Sequence, residues 1–489
     1  MKLSDLAKAL TFYKATASID NIDVKGLEMD SRKVEKGFLF ICIDGFTVDG
    51  HAFAADAEMR GAVAIIATKP VDVSIPVLMV EDSSRALALL ANSFYGQPTR
   101  ELNLIGVTGT NGKTTVTYLL EEIFNKHKHK TGLIGTIQMK IGNESYEVTN
   151  TTPDALFLQK NFRKMVDEQV TTTFMEVSSH ALDLGRVFGC EFDIAIFTNL
   201  TQDHLDYHPS MEAYLHAKSL LFSQLGNSYD KERPKFAVIN KDDSYSTKLL
   251  KTIAQPVLTY GIDSDADITV ENLSLDANGS SFTLKTLEGN IPITSKMMGK
   301  FSVYNMLAAT GAALCAGIPL ETIKAALEET TGVRGRFEPV MVGQSYGVII
   351  DYAHTPDSLE NALSTIQSFA KGKIYVVVGC GGDRDKKKRP LMAQVAVKYA
   401  DQAIFTSDNP RTEDPQQIIT DMIEGITYEN YTVIMNRREA IQHSIDITEP
   451  EDIVLIAGKG HETYQIIGKD VFDFDDREVA EQAISKRGN

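Results

Sequence analysis

The sequence predicts an α/β fold in three domains: a small N-terminal α/β domain (residues 1–98), a central P-loop ATPase-type domain with a mostly parallel sheet (99–335) and a C-terminal α/β domain (336–489). Three observations carry this expectation. Apolar runs of strand length recur along the chain with helix-like segments between them, the rhythm of parallel sheets covered by helices. The run GVTGTNGKTT, Gly106 to Thr115, joins one apolar segment to a helical stripe. Beyond Gly332-Val333-Arg334-Gly335-Arg336 the rhythm starts afresh.

In the first segment, Phe38 to Ile43, Val63 to Ala67 and Val77 to Val80 are short apolar runs set between glycine-bearing turns. A helix-like stretch then ends at Gly96-Gln97-Pro98. The central segment opens with the strand-like Leu102 to Val107. After the glycine-rich loop, Val116, Leu119, Leu120, Ile123 and Phe124 recur at i, i+3, i+4, i+7 and i+8, one buried face of a helix. Thr172 to Val177, Phe192 to Thr198 and Phe236 to Asn240 read as further strands. Asp263 to Ile293 alternates weakly with several turn signals, as an antiparallel hairpin region would.

The third segment reads as Rossmann-like, with strands at Val348 to Ile350, Ile374 to Val378, Ala403 to Thr406 and Ile453 to Ile456. Each is followed by a polar or glycine-rich loop: DYAHTPDS, GCGGDRDKKKRP, SDNPRTEDP and AGKGHETYQ. Ligands of open α/β sheets bind beyond the carboxyl ends of the strands. Four such loops therefore predict a second binding surface, facing the nucleotide domain.

Composition excludes several function classes. A net charge of −17 argues against nucleic-acid binding, which needs clustered cations to displace counterions. The four cysteines, Cys42, Cys190, Cys315 and Cys380, have no CxxC spacing, so neither a zinc ribbon nor a disulfide framework is expected. MKLSDLAKAL carries Asp5 and lacks a sustained apolar core, and nowhere do eighteen apolar residues run together. These features predict a cytoplasmic protein with no membrane span.

The loop Thr108, Gly109, Thr110, Asn111, Gly112, Lys113 and Thr114 is built to hold phosphate. Small residues let successive backbone N–H groups close on phosphate oxygens, Lys113 adds a point charge, and the Thr114 hydroxyl reaches a bound Mg²⁺. ATP or GTP is the expected ligand. The strict pattern asks for glycine five positions before Gly112, where this chain has Val107.

TGTNGKTT at 108–115, EVSSHAL with TNLTQDHLDYH within 176–208, and DNPR with GKGHE within 408–462, together with MDSRKVEKGFLF near the N-terminus, must be explained together. In all of these the chain resembles the Mur ligase family, along essentially its whole length. That family's loop reads TGTNGKT, so Val107 is no departure from it. The resemblance implies an ATP-dependent amide ligase of peptidoglycan precursor synthesis. ATP would phosphorylate the D-glutamate γ-carboxylate of UDP-N-acetylmuramoyl-L-alanyl-D-glutamate, and the amine of meso-diaminopimelate would attack the acyl phosphate. A carboxylate is a poor electrophile until phosphorylated, and the transfer needs ATP's charge neutralised by Lys113 and metal ions.

The resemblance also implies roles residue by residue. Lys113, Glu176, His204 and Lys218 would be catalytic. Thr114, Glu176, His204 and Lys218 would hold Mg²⁺, Lys218 as a CO₂-derived carbamate that requires its neutral amine. Asn305, Arg336 and Asp351 would hold adenine, phosphate and ribose. Ser31, Asn150, Thr151, Thr152, Ser178 and Arg186 would hold the UDP-sugar dipeptide; at Leu184 some relatives carry a polar residue. Arg384, Asp408, Asn409, Pro410, Arg411, Gly458 and Glu462 would receive the amino acid, with Arg411 gripping the far carboxylate of diaminopimelate and Glu462 its ammonium. Lysine lacks that carboxylate, and lysine-adding relatives lack the arginine. The chain is expected to act as a monomer.

Taken one at a time, these residues have blander readings: strand-end caps for Glu176 and His204, a solvated helical lysine for Lys218, turn chemistry for Asn150 to Thr152. His204 and His208 at i, i+4 also match a zinc pair, though no HExxH motif is present. Two rival functions stand beside the ligase: folylpolyglutamate synthesis, which shares the acyl-phosphate logic, and an ATP-responsive scaffold whose catalysis has decayed.

Overall fold

The computed structural model describes residues 1–45, 48–205, 207–276 and 279–488. Among these residues the strands form five sheets, three of them in α/β arrangements along the chain. In the first, Gly26–Glu28, Phe38–Ile41, Ala64–Ala67 and Val77–Met79 run parallel, and Lys14–Ala15 closes one edge antiparallel to Val77–Met79. The helix Ser83–Phe94 covers one face; the Asp82 side chain caps it by accepting from the Arg85 N–H.

The central sheet has eight strands. Six are parallel, in the order Val257–Tyr260, Phe236–Asn240, Ile194–Phe197, Asn103–Thr108, Thr172–Glu176 and Thr131–Ile134. Met139–Ile141 and Glu144–Tyr146 extend it as an antiparallel edge. Thr172–Glu176 and Ile194–Phe197 are buried throughout, because helices pack on both faces, so neither alternates between apolar and polar positions. Ile105 and Val107 meet the helices Lys113–Lys126 and Lys300–Cys315 on one face, while Leu104 meets Phe162 and Leu221 on the other. The predicted stripe Val116, Leu119, Leu120, Ile123 and Phe124 is buried as a unit. Full burial of such side chains stabilises by roughly 1.5–3 kcal/mol each.

Register fixes the site. Glu176 pairs with Val107, and Phe197 with Thr108, so the loop after Thr108, the Glu176 carboxylate and the segment after Phe197 emerge on one rim. The Asp263 to Ile293 region is antiparallel as expected, with three strands instead of a hairpin: Thr269–Asp276, Gly279–Thr286 and Gly289–Ser295.

In the third α/β unit, Gly347–Asp351, Ile453–Ala457, Ile374–Val378, Gln402–Phe405 and Tyr431–Val433 are parallel, and Glu338–Pro339 is an antiparallel edge. A separate hairpin, Tyr464–Ile467 with Asp470–Asp473, follows the GKGHE loop. The helix Pro356–Gln367 begins with a reciprocal capping box between Thr355 and Ser358. No helix among the described residues is long and apolar enough to cross a membrane.

Candidate functional site

The loop between Thr108 and the helix Lys113–Lys126 needs glycine at position 112. Gly112 has φ +88°, and a Cβ there would sit 2.4 Å from Asn305 Oδ1. Asn305, on the helix Lys300–Cys315, thus lies against the loop at the first helical turn. The Lys113 ammonium folds back to donate to the carbonyls of Gly109 at 2.8 Å and Thr110 at 2.7 Å. Although the residue is only half-buried, its ammonium lies deep enough that burial pushes its pKa down, with the nearby Glu176 carboxylate opposing.

Thr114 Oγ1 donates to Glu176 Oε2 at 3.0 Å. Glu176 is further gripped by Thr136, whose N–H donates to Oε1 at 2.8 Å and whose hydroxyl donates to Oε2 at 3.1 Å. Thr136 was not anticipated from the sequence. The Thr114 hydroxyl and the Glu176 carboxylate are hard oxygen donors side by side, a set that suits Mg²⁺. Among the described residues no three His, Cys, Asp or Glu side chains gather into a metal-holding group. His204 lies beside this rim at a backbone φ of +54°, its ring 5.0 Å from that of His180 and 5.9 Å from that of Tyr214. His208 is buried with Nε2 2.9 Å from Ser179 Oγ, which ties it into the fold and argues against the zinc-pair reading.

Lys218, on the helix Met211–Ser223, is 1% exposed and donates to the Gly109 carbonyl at 2.8 Å, its ammonium 4.5 Å from the centre of the Tyr214 ring. Burial holds its pKa well below the usual lysine value; the charge of Lys113 adds to this and that of Asp203 opposes it. As an ammonium it has no lone pair to offer a metal, and as a neutral amine it offers nitrogen in place of a hard oxygen; it joins the oxygen set only if it carries a carboxylate.

A cavity of about 330 Å³ opens over these groups. Asn150, Thr151, Thr152, Ser178 and Arg186 line it along with the loop, Glu176, His204, Lys218 and Arg336. Thr152 Oγ1 donates to the Glu176 carbonyl at 2.8 Å and accepts from the Ser178 N–H at 3.0 Å, while Arg186 donates to the Thr152 carbonyl at 3.0 Å. Ser31 lies outside this cavity, in the short turn Ser31–Lys33, where its hydroxyl bonds to Asp56 and lowers that carboxyl's pKa.

Arg336 enters the cavity from the start of the third unit, its guanidinium 4.8 Å from the Tyr352 ring centre and its Nε buried with no partner among the described residues. Asp351, at the end of its strand, accepts from the Phe337 N–H at 2.7 Å; burial raises its pKa and Arg336 opposes. The two sides also approach each other at Asp357, whose pKa burial raises and the Asp203 carboxylate across the cleft raises further.

The amino-acid candidates form a second group, joined to the cavity through Arg336, Tyr352 and His461, the last two rings 5.0 Å apart. Asn409 Nδ2 donates to Glu462 Oε2 at 2.8 Å. Arg411 has φ +50° and donates through Nη1 to the Gly382 carbonyl at 2.9 Å. Gly458, at φ +113°, lets Asp408 approach: a Cβ there would be 2.8 Å from Asp408 Oδ2. Pro410 is buried between Asn409 and Arg411. In the basic run Arg384 to Arg389, Arg384 is exposed whereas Arg389 is fully buried against Glu413 and Asp421. Lys459, inside the quoted GKGHE motif, is fully buried against Asn409 and Glu462 and was overlooked as a functional residue.

Family profiles match residues 23–95 (Mur ligase family, catalytic domain), 107–313 (Mur ligase middle domain) and 335–460 (Mur ligase, glutamate ligase domain). The chain is 57% identical, over 489 residues covering 100% of it and 99% of the relative, to a Bacillus cereus protein named UDP-N-acetylmuramoyl-L-alanyl-D-glutamate--2,6-diaminopimelate ligase. A protein of the same name from Oceanobacillus iheyensis is 56% identical over 492 residues, covering 100% of each chain. A solved structure of a ligase of that name superposes with a TM-score of 0.73 at 34% identity, covering 99% of both chains. The folylpolyglutamate synthase of Mycobacterium tuberculosis, solved with ADP and AMPPCP, shares the fold at a TM-score of 0.62 and 16% identity, covering 83% of this chain and 95% of that one.

Proposed function

The chain belongs to the Mur ligase family, and from that premise we propose that it is the ATP-dependent ligase that joins meso-diaminopimelate to the D-glutamate γ-carboxylate of UDP-N-acetylmuramoyl-L-alanyl-D-glutamate in peptidoglycan precursor synthesis. The observation that carries this reading is the convergence of Lys113, Thr114, Glu176, Lys218 and Arg336 on one cavity, in a chain 57% identical to a relative of that name. Neither rival function fits as well. The folylpolyglutamate synthases match at 16–18% identity, and a decayed scaffold would not keep these groups aligned.

The chemistry runs in two steps. The γ-carboxylate oxygen attacks the γ-phosphorus of ATP, the bond to the β-phosphate oxygen breaks and ADP leaves. The diaminopimelate amine then attacks the acyl carbon, phosphate departs with the electron pair of the C–O bond, and the amine loses a proton as the amide forms. Lys113, freed from its loop carbonyls, neutralises the phosphates, and Arg336 supplies a second cation from the opposite wall. Mg²⁺, when bound, neutralises and orients the phosphates; Thr114, Glu176, His204 and carbamylated Lys218 would hold it. Asn305 and Asp351 hold the nucleoside. Ser31, Asn150, Thr151, Thr152, Ser178 and Arg186 receive the UDP-linked substrate, and Arg384, the DNPR loop, Gly458 and Glu462 receive the amino acid. The division at residues 98 and 335, cytoplasmic location and action as a monomer belong to the same reading.

The test is to incubate the protein with ATP, Mg²⁺ and UDP-N-acetylmuramoyl-L-alanyl-D-glutamate, offer meso-diaminopimelate or L-lysine, and follow phosphate release and product mass. Tripeptide formed with diaminopimelate alone is the expected result. A preference for lysine would overturn the substrate assignment, and product from neither would overturn the ligase.

A further inference from the structure

Lysine is among the residues least often buried without a partner, because removing an ammonium from water is costly unless its donors are satisfied. Lys459 is fully buried. Its Nζ lies 3.1 Å from Asn409 Oδ1 and 3.3 Å from Glu462 Oε2. Asn409 Nδ2 donates to that same Glu462 oxygen at 2.8 Å, and Asn409 Oδ1 also accepts from the Ile466 N–H at 3.0 Å. The amide is therefore oriented by donors on one side and an acceptor on the other, and the carboxylate is held by both neighbours. Two loops far apart in the chain, DNPR and GKGHE, are locked together through one ammonium.

We propose that Lys459 is a positioning residue for amino-acid selection: it holds the Glu462 carboxylate in place, and fixes the Asn409 amide, so that Glu462 can meet the ammonium of the incoming diaminopimelate. This rests on the ligase reading above. Lys459 touches no substrate itself; its action passes through Glu462 and Asn409. Burial raises the Glu462 pKa and the Lys459 charge opposes that rise, so the lysine also favours the ionised carboxylate.

Lys459→Met keeps the stem and removes the charge. Loss of a charge-assisted hydrogen bond to a buried carboxylate corresponds to roughly a 10–100-fold change in affinity. The variant should show a rise of that size in KM for diaminopimelate, with kcat and the KM for ATP within a few-fold of wild type. Its acid limb in kcat/KM for diaminopimelate should move to higher pH, because Glu462 protonates more readily without its cation. An unchanged KM and pH profile, or equal losses for ATP and diaminopimelate, would overturn the assignment. If Lys459→Met does not fold, Glu462→Gln alone is compared with Glu462→Gln/Lys459→Met, which buries no unpaired charge. Similar KM values for diaminopimelate in the two support action through Glu462, and a much higher value in the double variant counts against it. Wild-type protein that makes no tripeptide would overturn the ligase reading and this inference together, whereas active wild type with an indifferent Lys459 overturns the inference alone.

Discussion

Lys113 and Lys218 share one acceptor: the ammonium groups of both donate to the carbonyl oxygen of Gly109, each at 2.8 Å. Two like charges converging on one oxygen make the more deeply buried one the easier to neutralise, and that is Lys218. The neutral amine is the form that attacks CO₂, its nitrogen bonding to the carbon and losing a proton to give the carbamate. Protein equilibrated with ¹³C-bicarbonate should show a carbamate resonance that is absent from Lys218→Met, and ligation should fall when CO₂ is stripped and return when it is restored. Folded, active protein with no such resonance would remove the carbamate from the site.

The same burial has a stability signature. The folded-state pKa of Lys218 lies below its unfolded value, so the unfolded chain binds more protons and stability rises with pH across that window, up to about 10.4. In CO₂-stripped buffer Lys218→Met should be more stable than wild type at neutral pH, and the gap should narrow as pH climbs toward the ordinary lysine range. Melting curves at pH 7 and pH 9.5 suffice; a gap that stays constant would mean that the buried charge is not its source.

Lys113→Ala removes a cation whose hydrogen-bond acceptors among the described residues are loop carbonyls, so the fold should survive. Ligation should drop by about 10²–10³-fold or more, the scale for removing one preorganised electrostatic contact to a reacting group. Circular dichroism and thermal melting check the fold, and phosphate release checks the chemistry. A stably folded variant that keeps wild-type turnover would be incompatible with the phosphate role of this lysine.

Arg411 presently spends Nη1 on the Gly382 carbonyl, a neutral acceptor that a carboxylate can replace with a stronger, charge-assisted contact. Arg411→Ala should raise KM for diaminopimelate roughly 10–100-fold while leaving ATP affinity near wild type. It should also narrow the preference for diaminopimelate over lysine. Equal losses in diaminopimelate and ATP would show that Arg411 supports the fold of the loop and not the far carboxylate.

How much of this was legible in the sequence depends on whether the signal is local. The P-loop could be read because strand, loop and helix are contiguous, and the stripe from Val116 to Phe124 gives the helix its buried face. The edge strands Met139–Ile141 and Glu144–Tyr146 were not read, because strands of three residues carry too little periodicity. Thr136 was missed because its value comes from register: the parallel pairing of Thr172–Glu176 with Thr131–Ile134 is what brings its N–H and hydroxyl to Glu176. Lys459 was quoted within a motif yet passed over, since a lysine's burial is set by tertiary packing. For the basic run, the sequence could not separate exposed Arg384 from Arg389, whose guanidinium is neutralised by Glu413 and Asp421 from other segments.

Arg437 and Asp476 form a fully buried pair at 2.7 Å, with both Nε and Nη2 engaging the carboxylate. Nη2 also donates to the Ala457 carbonyl at 2.9 Å, the last residue of its strand and the one before Gly458. The pair thus anchors the helix Asp476–Arg487 to the strand that delivers the GKGHE loop. Its energetics are asymmetric: both charges were desolvated to form it, so the intact pair contributes little net stability, but removing one partner strands the other in a dry site. Arg437→Met should cost about 3–5 kcal/mol, read as faster amide exchange along Ile453–Ala457. Arg437→Met/Asp476→Leu should recover most of that loss, because no unpaired charge remains. The double variant should still handle diaminopimelate less well than wild type, since the Ala457 carbonyl loses its donor next to Gly458. If the double variant is as unstable as the single, the pair's contribution lies in packing shape and not in the stranded charge.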